Sequence, residues 1–128
     1  MTATRRQTLH AGFGLAVTAT ALPAFGETPM YGLIGRMKAA PGKRAELAAI
    51  LLEGTGDMPG CLSYVIAEDM QDADALWITE VWDNADSHRA SLSLPSVQAA
   101  IARGRPLIAD FDNRNETRPL GGTGLSRR

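Results

Sequence analysis

Leu76-Trp77-Ile78-Thr79-Glu80-Val81-Trp82 is the stretch that decides the fold. It is rich in β-branched and aromatic residues, the composition of a pleated, half-buried surface. Successive strand residues point to opposite faces, so Leu76, Ile78, Glu80 and Trp82 share one side. Trp77, Thr79 and Val81 share the other. Asp83 and Asn84 follow, either able to cap a helix. A helix from there sets Ala85, His88 and Leu92 on one face, at i, i+3 and i+7. A carboxylate, an indole and an imidazole thus converge where this helix meets the sheet.

Working outward, Met30 to Lys38 reads as a first strand, with Tyr31, Leu33, Ile34 and Met37 as its apolar content. Pro41-Gly42 breaks it. Lys43 to Glu53 reads as a helix whose Leu47, Ile50 and Leu51 form one buried face. Gly54 and Gly56 end it, and Met58-Pro59-Gly60 makes a turn. Cys61 to Glu68 is a second strand, and the acidic run Asp69 to Asp74 joins it to the third as a hairpin. Downstream, Leu94-Pro95 interrupts the helical region. Ser96 is expected to cap a second helical piece with Val97, Ala100 and Ile101 inward, and Pro106 to stop it. Phe111 to Pro119 is the expected fourth strand.

The order β-α-β-β-α-β predicts an α+β, ferredoxin-like split βαβ sandwich. Both helices cover one face of an antiparallel sheet. Trp77, Thr79 and Val81 lie on the bare face, and a domain of about 100 residues gains from burying such a face against a second copy. A homodimer is therefore expected.

The two ends read differently from the middle. Arg5-Arg6 opens a charged segment, and the mildly apolar run from Ala11 to Ala24 is too short to span a bilayer as a helix. Small residues near Ala24 or Gly26 offer a cleavage site. Residues 1–26 read as a twin-arginine type signal peptide, giving a periplasmic product with no membrane attachment after signal removal. The domain is expected over 30–119, and 120–128 as a Gly-rich disordered tail.

The chain of 128 residues holds 13 basic and 14 acidic side chains. Removing Arg5 and Arg6 takes the net charge from −1 to −3. No basic stripe survives, which argues against nucleic acid as a partner. Cys61 is the single cysteine, so an exported product has no internal disulfide framework and the thiol reads as a small packed hydrophobe. One cysteine and one histidine beyond the signal make no usual zinc set, so no metal is expected. The acidic hairpin lacks the pattern of an EF-hand loop. No phosphate loop and no serine elbow is present.

Ile34-Gly35-Arg36-Met37-Lys38 leading to Pro41-Gly42, then Pro59-Gly60-Cys61-Leu62-Ser63-Tyr64, then Glu80-x-Trp82 with His88, resembles the antibiotic biosynthesis monooxygenase domain. Within it, the resemblance is to the quinol monooxygenase branch, over roughly Met30 to Pro119. It implies a ferredoxin-like dimer, the dimeric α/β barrel, and oxygen chemistry with no flavin, haem or metal cofactor. The partners it implies are a small aromatic substrate and dioxygen. Haem-degrading relatives carry an asparagine where this chain has Gly35, and a haem-ligating histidine in a region where Ser96 to Ile101 has none. Both departures argue against haem oxygenase activity.

The candidate residues divide by role. Ground-state dioxygen is a triplet and reacts slowly with closed-shell molecules, so without a cofactor the substrate must supply the electron. A deprotonated quinol can. The protein then needs a base and a dry apolar pocket. His88, the only histidine beyond the signal, is the candidate base, and Glu80 is the group that orients it and raises its pKa against the effect of burial. Trp82 offers a flat wall to a planar ring. The resemblance adds Tyr64 as a donor to a quinol oxygen and Arg103, near the end of the second helical piece, as a substrate-binding cation. Arg36 and Arg118, on strands expected at the sheet edges, can hold an anion or lie solvated. The same residues also read as a structural His–Glu tie and packed core aromatics. Two other activities fit the sequence. One is an isomerase or other non-oxidative enzyme acting on a small carbonyl compound. The other is a non-catalytic small-molecule-binding or stress protein.

Overall fold

A computed structural model describes residues 28–125. The expected signal peptide and the last three residues of the expected tail lie outside them. The elements are β1 (Tyr31–Ala39), α1 (Arg44–Gly54), β2 (Cys61–Glu68), β3 (Ala75–Trp82), α2 (Ala85–Ser91), α3 (Pro95–Gly104) and β4 (Ile108–Thr117). A 3-10 turn, Arg105–Leu107, joins α3 to β4. The strands form one antiparallel sheet in the order β2-β3-β1-β4. This is the ferredoxin-like arrangement expected from the strand order.

β3 lies inside the sheet, paired with β1 and β2. Its alternation works as read: Leu76, Ile78 and Trp82 are buried under the helices. Leu47 on α1, Leu76 on β3 and Ala39 on β1 make one core cluster. Met58, Trp82 and Val97 make another, with Tyr31, Cys61, Tyr64 and Leu94 packed around it. Helices α1 and α3 meet closely because Gly54 has no side chain. A Cβ there would stand 2.5 Å from the Ala100 Cβ. The Pro59-Gly60 turn needs its glycine for two reasons. Gly60 has φ +83°, and a Cβ would collide with Ser87 at the start of α2.

Asn84 caps α2 as anticipated, its side-chain oxygen accepting the Ser87 N–H at 2.9 Å. Three boundaries differ from expectation. Helix α3 starts at Pro95, with Leu94 in the capping position and no side-chain cap. Ser96 is inside the helix, because proline at the first helical position gives up no hydrogen bond and presets φ. Pro106 does not simply stop the chain but sits in the 3-10 turn that feeds β4, so β4 begins at Ile108, three residues before Phe111. Ile101 and Leu92, expected inward, are both exposed.

The open sheet face is less apolar than expected. Ile34, Val65 and Val81 occupy one part of it. The other part holds an ionic cluster in which Arg36 pairs with Asp69 at 3.3 Å, Asp72 at 3.0 Å and also Asp112. Lys38 joins Asp72 at 3.0 Å. β1 is an inner strand, not an edge, and this is why Arg36 is neither solvated nor free. Trp77 belongs to the cluster too, its Nε1 donating to Asp69 Oδ2 at 2.8 Å.

Candidate functional site

The helix-covered face of the sheet, near the β3 C-terminus, collects the chemistry-bearing side chains. The β1–β3 and β2–β3 pairings place Tyr31 and Cys61 on either side of Trp82. They place Leu33 and Tyr64 on either side of Glu80. Helix α2, positioned by the Asn84 cap, brings His88 down onto this group.

His88 Nε2 lies 3.8 Å from Glu80 Oε1, with both side chains largely buried. The same Glu80 oxygen accepts the Trp82 Nε1–H at 2.9 Å. His88 is held between two rings. Tyr31 lies at 5.1 Å and tilted, and Trp82 at 5.5 Å edge-on. The Tyr31 hydroxyl donates to Glu116 Oε2 at 2.7 Å. Burial pushes the Glu80 carboxyl above the usual carboxylate range, against the lowering by the Trp82 hydrogen bond and the charges of His88 and Arg114. The Tyr64 phenol is pushed up by burial first, then by the Glu80 charge and by Cys61. It is therefore a neutral donor at any ordinary pH.

A mostly apolar groove of about 640 Å³ lies between α3, the 3-10 turn and the sheet, and Tyr64 is the member of this group that lines it. Met37, Ile78 and Ile108 line the sheet side, and Leu51, Val97, Ala100 and Ile101 the helix side, with Phe111 and Tyr64 also in the lining. Leu92 and Ile101 are exposed because they border this open groove rather than a closed core. Tyr64 also lines a second, more polar cavity of about 760 Å³ formed by Thr55 to Ser63. With Thr55 it lines both cavities, and it is the cross-strand neighbour of Glu80.

The structure brings Glu80, His88, Trp82 and Tyr64 together. It gives Trp82 a different setting from the one expected. Only 1% of Trp82 is exposed, and both ring faces are covered by protein. It acts on the site from behind, by donating to Glu80. Arg103 is not brought to the group. It lies on the exposed side of α3, with its guanidinium 3.5 Å from Glu53 on α1. The arginine at the groove is Arg105, in the 3-10 turn. Tyr31, Glu116 and Arg114 complete the surroundings of His88 and Glu80 and were not singled out from sequence. The signal for them lies in strand order: once β1 is known to sit between β3 and β4, alternation sets all three on the Glu80 side.

Comparison with known proteins agrees with this architecture. The profile of the family described as Antibiotic biosynthesis monooxygenase matches residues 30–103. A Chloroflexus aurantiacus J-10-fl protein whose structure carries the same family description is 66% identical, over 76% of this chain and 99% of that one, with a TM-score of 0.75. A Caulobacter crescentus CB15 protein of that description is 20% identical, over 74% of this chain and 93% of that one, with a TM-score of 0.67. SnoaB of Streptomyces nogalater, a cofactor-independent oxygenase, shares the fold at 14% identity and a TM-score of 0.63, over 75% of this chain and 98% of that one. A search of curated proteins gave no significant match.

Proposed function

The chain belongs to the antibiotic biosynthesis monooxygenase family, and from that premise we propose that it oxidises quinols with dioxygen, without a cofactor. The observation that carries this reading is the Glu80–His88 pair, at 3.8 Å, beside Tyr64, the cross-strand neighbour of Glu80 and the member of this group that lines an apolar groove. The groove holds one or two fused aromatic rings. Tyr64 donates a hydrogen bond to a quinol oxygen. His88 accepts the phenolic proton, and Glu80 compensates the charge that forms on the imidazole.

The phenolate then gives an electron to dioxygen, and the resulting radical pair combines at a ring carbon. Loss of water from the hydroperoxide leaves a hydroxyquinone. One oxygen atom enters the ring and the other leaves as water, with all four electrons supplied by the quinol. The apolar walls keep water from the intermediate. Oxygen uptake over a panel of mono- and bicyclic hydroquinones, in the presence of chelator, tests the reading. Uptake with stoichiometric hydroxyquinone supports it. Turnover that proceeds equally under nitrogen contradicts it.

The working form is a homodimer, joined through the open sheet face at Ile34, Val65, Thr79 and Val81. Val81→Asp should give monomers in sedimentation, and a wild type that is monomeric at micromolar concentration removes the claim. The protein acts in the periplasm after export led by Arg5 and Arg6. Replacing both with lysine should block export by the twin-arginine route, and unimpaired export of that variant would count against it.

A further inference from the structure

We propose that Arg114 is the residue that binds the substrate's oxyanion, reaching it over Gly35, where the sheet carries no side chain. This deepens the quinol reading and rests on it. The β1–β4 pairing sets Arg114 directly opposite Gly35, and the β1–β3 pairing sets Ile78 on the other side of the same glycine. Ile78 and Met37, which flank Gly35 across and along the sheet, both line the groove. A Cβ at Gly35 would meet only the Asn113 carbonyl oxygen, at 3.6 Å. Neither Gly35 nor Arg114 is part of the groove's lining, but no side chain stands between Ile78 and Arg114 at this register position.

Arg114 is suited to this use by what surrounds it. It lies on the same face as Glu116, whose carboxylate is engaged by the Tyr31 hydroxyl at 2.7 Å. Among the described residues, the ion pairs engage Arg36, Arg44, Arg89 and Arg103, and leave Arg105, Arg114 and Arg118 without one; of these three, Arg114 alone stands opposite Gly35. Burial raises both the Glu80 carboxyl and the Tyr31 phenol, and Arg114 opposes that rise, through its charge at Glu80 and through charge and a side-chain hydrogen bond at Tyr31. Arg114 is exposed, on a strand that the helices do not cover. A planar guanidinium offers two parallel N–H groups to an oxyanion, which a lysine cannot copy. A phenolate in the groove would have its proton taken on the His88 side and its charge held on the Arg114 side.

The test uses 4-nitrophenol, a redox-inert probe whose anion is yellow, with 4-nitroanisole as its neutral isostere. Wild type should bind nitrophenolate and ionise it at lower pH than free solution does. Arg114→Gln should bind the anion roughly ten- to a hundredfold more weakly, the scale of one charge-assisted hydrogen bond, and bind nitroanisole as before. Arg114→Lys should fall between. Gly35→Ala, which the open space accommodates, should weaken the anion more than the isostere. No binding of nitrophenolate by wild type, an unchanged anion affinity in Arg114→Gln, or an equal loss of both probes each overturns the proposal. Absence of oxygen uptake with quinols, while the anion still binds through Arg114, would defeat the monooxygenase reading and leave this one standing.

Discussion

Two indoles of β3 each donate to a carboxylate, on opposite faces of one sheet, and the two acids respond in opposite directions. Trp77 donates to Asp69 at 2.8 Å on the open face. Trp82 donates to Glu80 at 2.9 Å on the covered face. Asp69 is held down to about 2, by the backbone N–H of Gln71, the Trp77 indole, the backbone N–H of Asp72 and Arg36. Glu80 is raised, because its burial outweighs the single indole and the more distant charges of His88 and Arg114. The indoles of one strand therefore serve a saturated structural carboxylate of the β2–β3 hairpin on one side and an under-solvated one of β3 itself on the other. Donor count and burial decide which acid ties the fold together and which remains available for proton chemistry.

Replacing each indole by phenylalanine sharpens this contrast most. Trp82 is almost completely buried, so Trp82→Phe loses volume, leaves a cavity and takes away the indole hydrogen bond to Glu80. A cost of about 2–4 kcal/mol is expected in urea unfolding. Trp77 is half-buried, and Asp69 keeps its other donors, so Trp77→Phe should cost about 1 kcal/mol or less. Equal costs would break the comparison.

The acid limb of stability should belong to the open face. Asp69 has a folded pKa of about 2, below its unfolded value. Its contribution is thus complete above the ordinary carboxylate range and is lost as pH falls from about 4 to about 2. The stability gap between wild type and Asp69→Asn should be widest near neutral pH and close toward pH 2. A gap independent of pH would show that the carboxylate charge plays no part.

Glu80 should show the reverse sign and the smallest effect. Its folded pKa is raised, so the folded state holds the proton more tightly than the unfolded chain. The cost of ionising it is absent below the ordinary carboxylate range and complete once pH has risen through the raised folded value. Glu80→Gln should therefore gain on wild type as pH rises through that window, with His88, Trp82 and Arg114 as the facing groups that moderate the gain. A variant that loses ground as pH rises would mean that these partners more than repay the burial.

Much of this architecture was legible in the chain. The alternation of Leu76 to Trp82 placed Glu80 and Trp82 on one face, and the Asp83-Asn84 cap signal placed His88 above them. What alternation does not give is depth. It sets Trp82 on the correct face but cannot say that Met58, Val97 and their neighbours close over both sides of the ring. Helical periodicity likewise sent Ile101 and Leu92 inward without showing that the space beside them is an open groove. Arg103 was assigned by resemblance, and its position on α3 turns it toward Glu53. Tyr31 and Arg114 needed the β3-β1-β4 order, which long-range pairing sets and local pattern does not. The ends of α3 and β4 shifted because Pro95 and Pro106 begin helical turns more readily than they end them.

The central claim is that the raised, buried acid and the imidazole beside it carry proton transfer from a quinol to allow its reaction with dioxygen. The most direct measurement is the rate of hydroquinone consumption and hydroxyquinone formation by wild type and His88→Ala with one hydroquinone, in chelator, under air and under nitrogen. The account predicts that His88→Ala loses roughly 10²–10⁴-fold in air while keeping its fold by circular dichroism, and that wild type stops under nitrogen. Equal rates for the two proteins in air, or unchanged turnover under nitrogen, would contradict it.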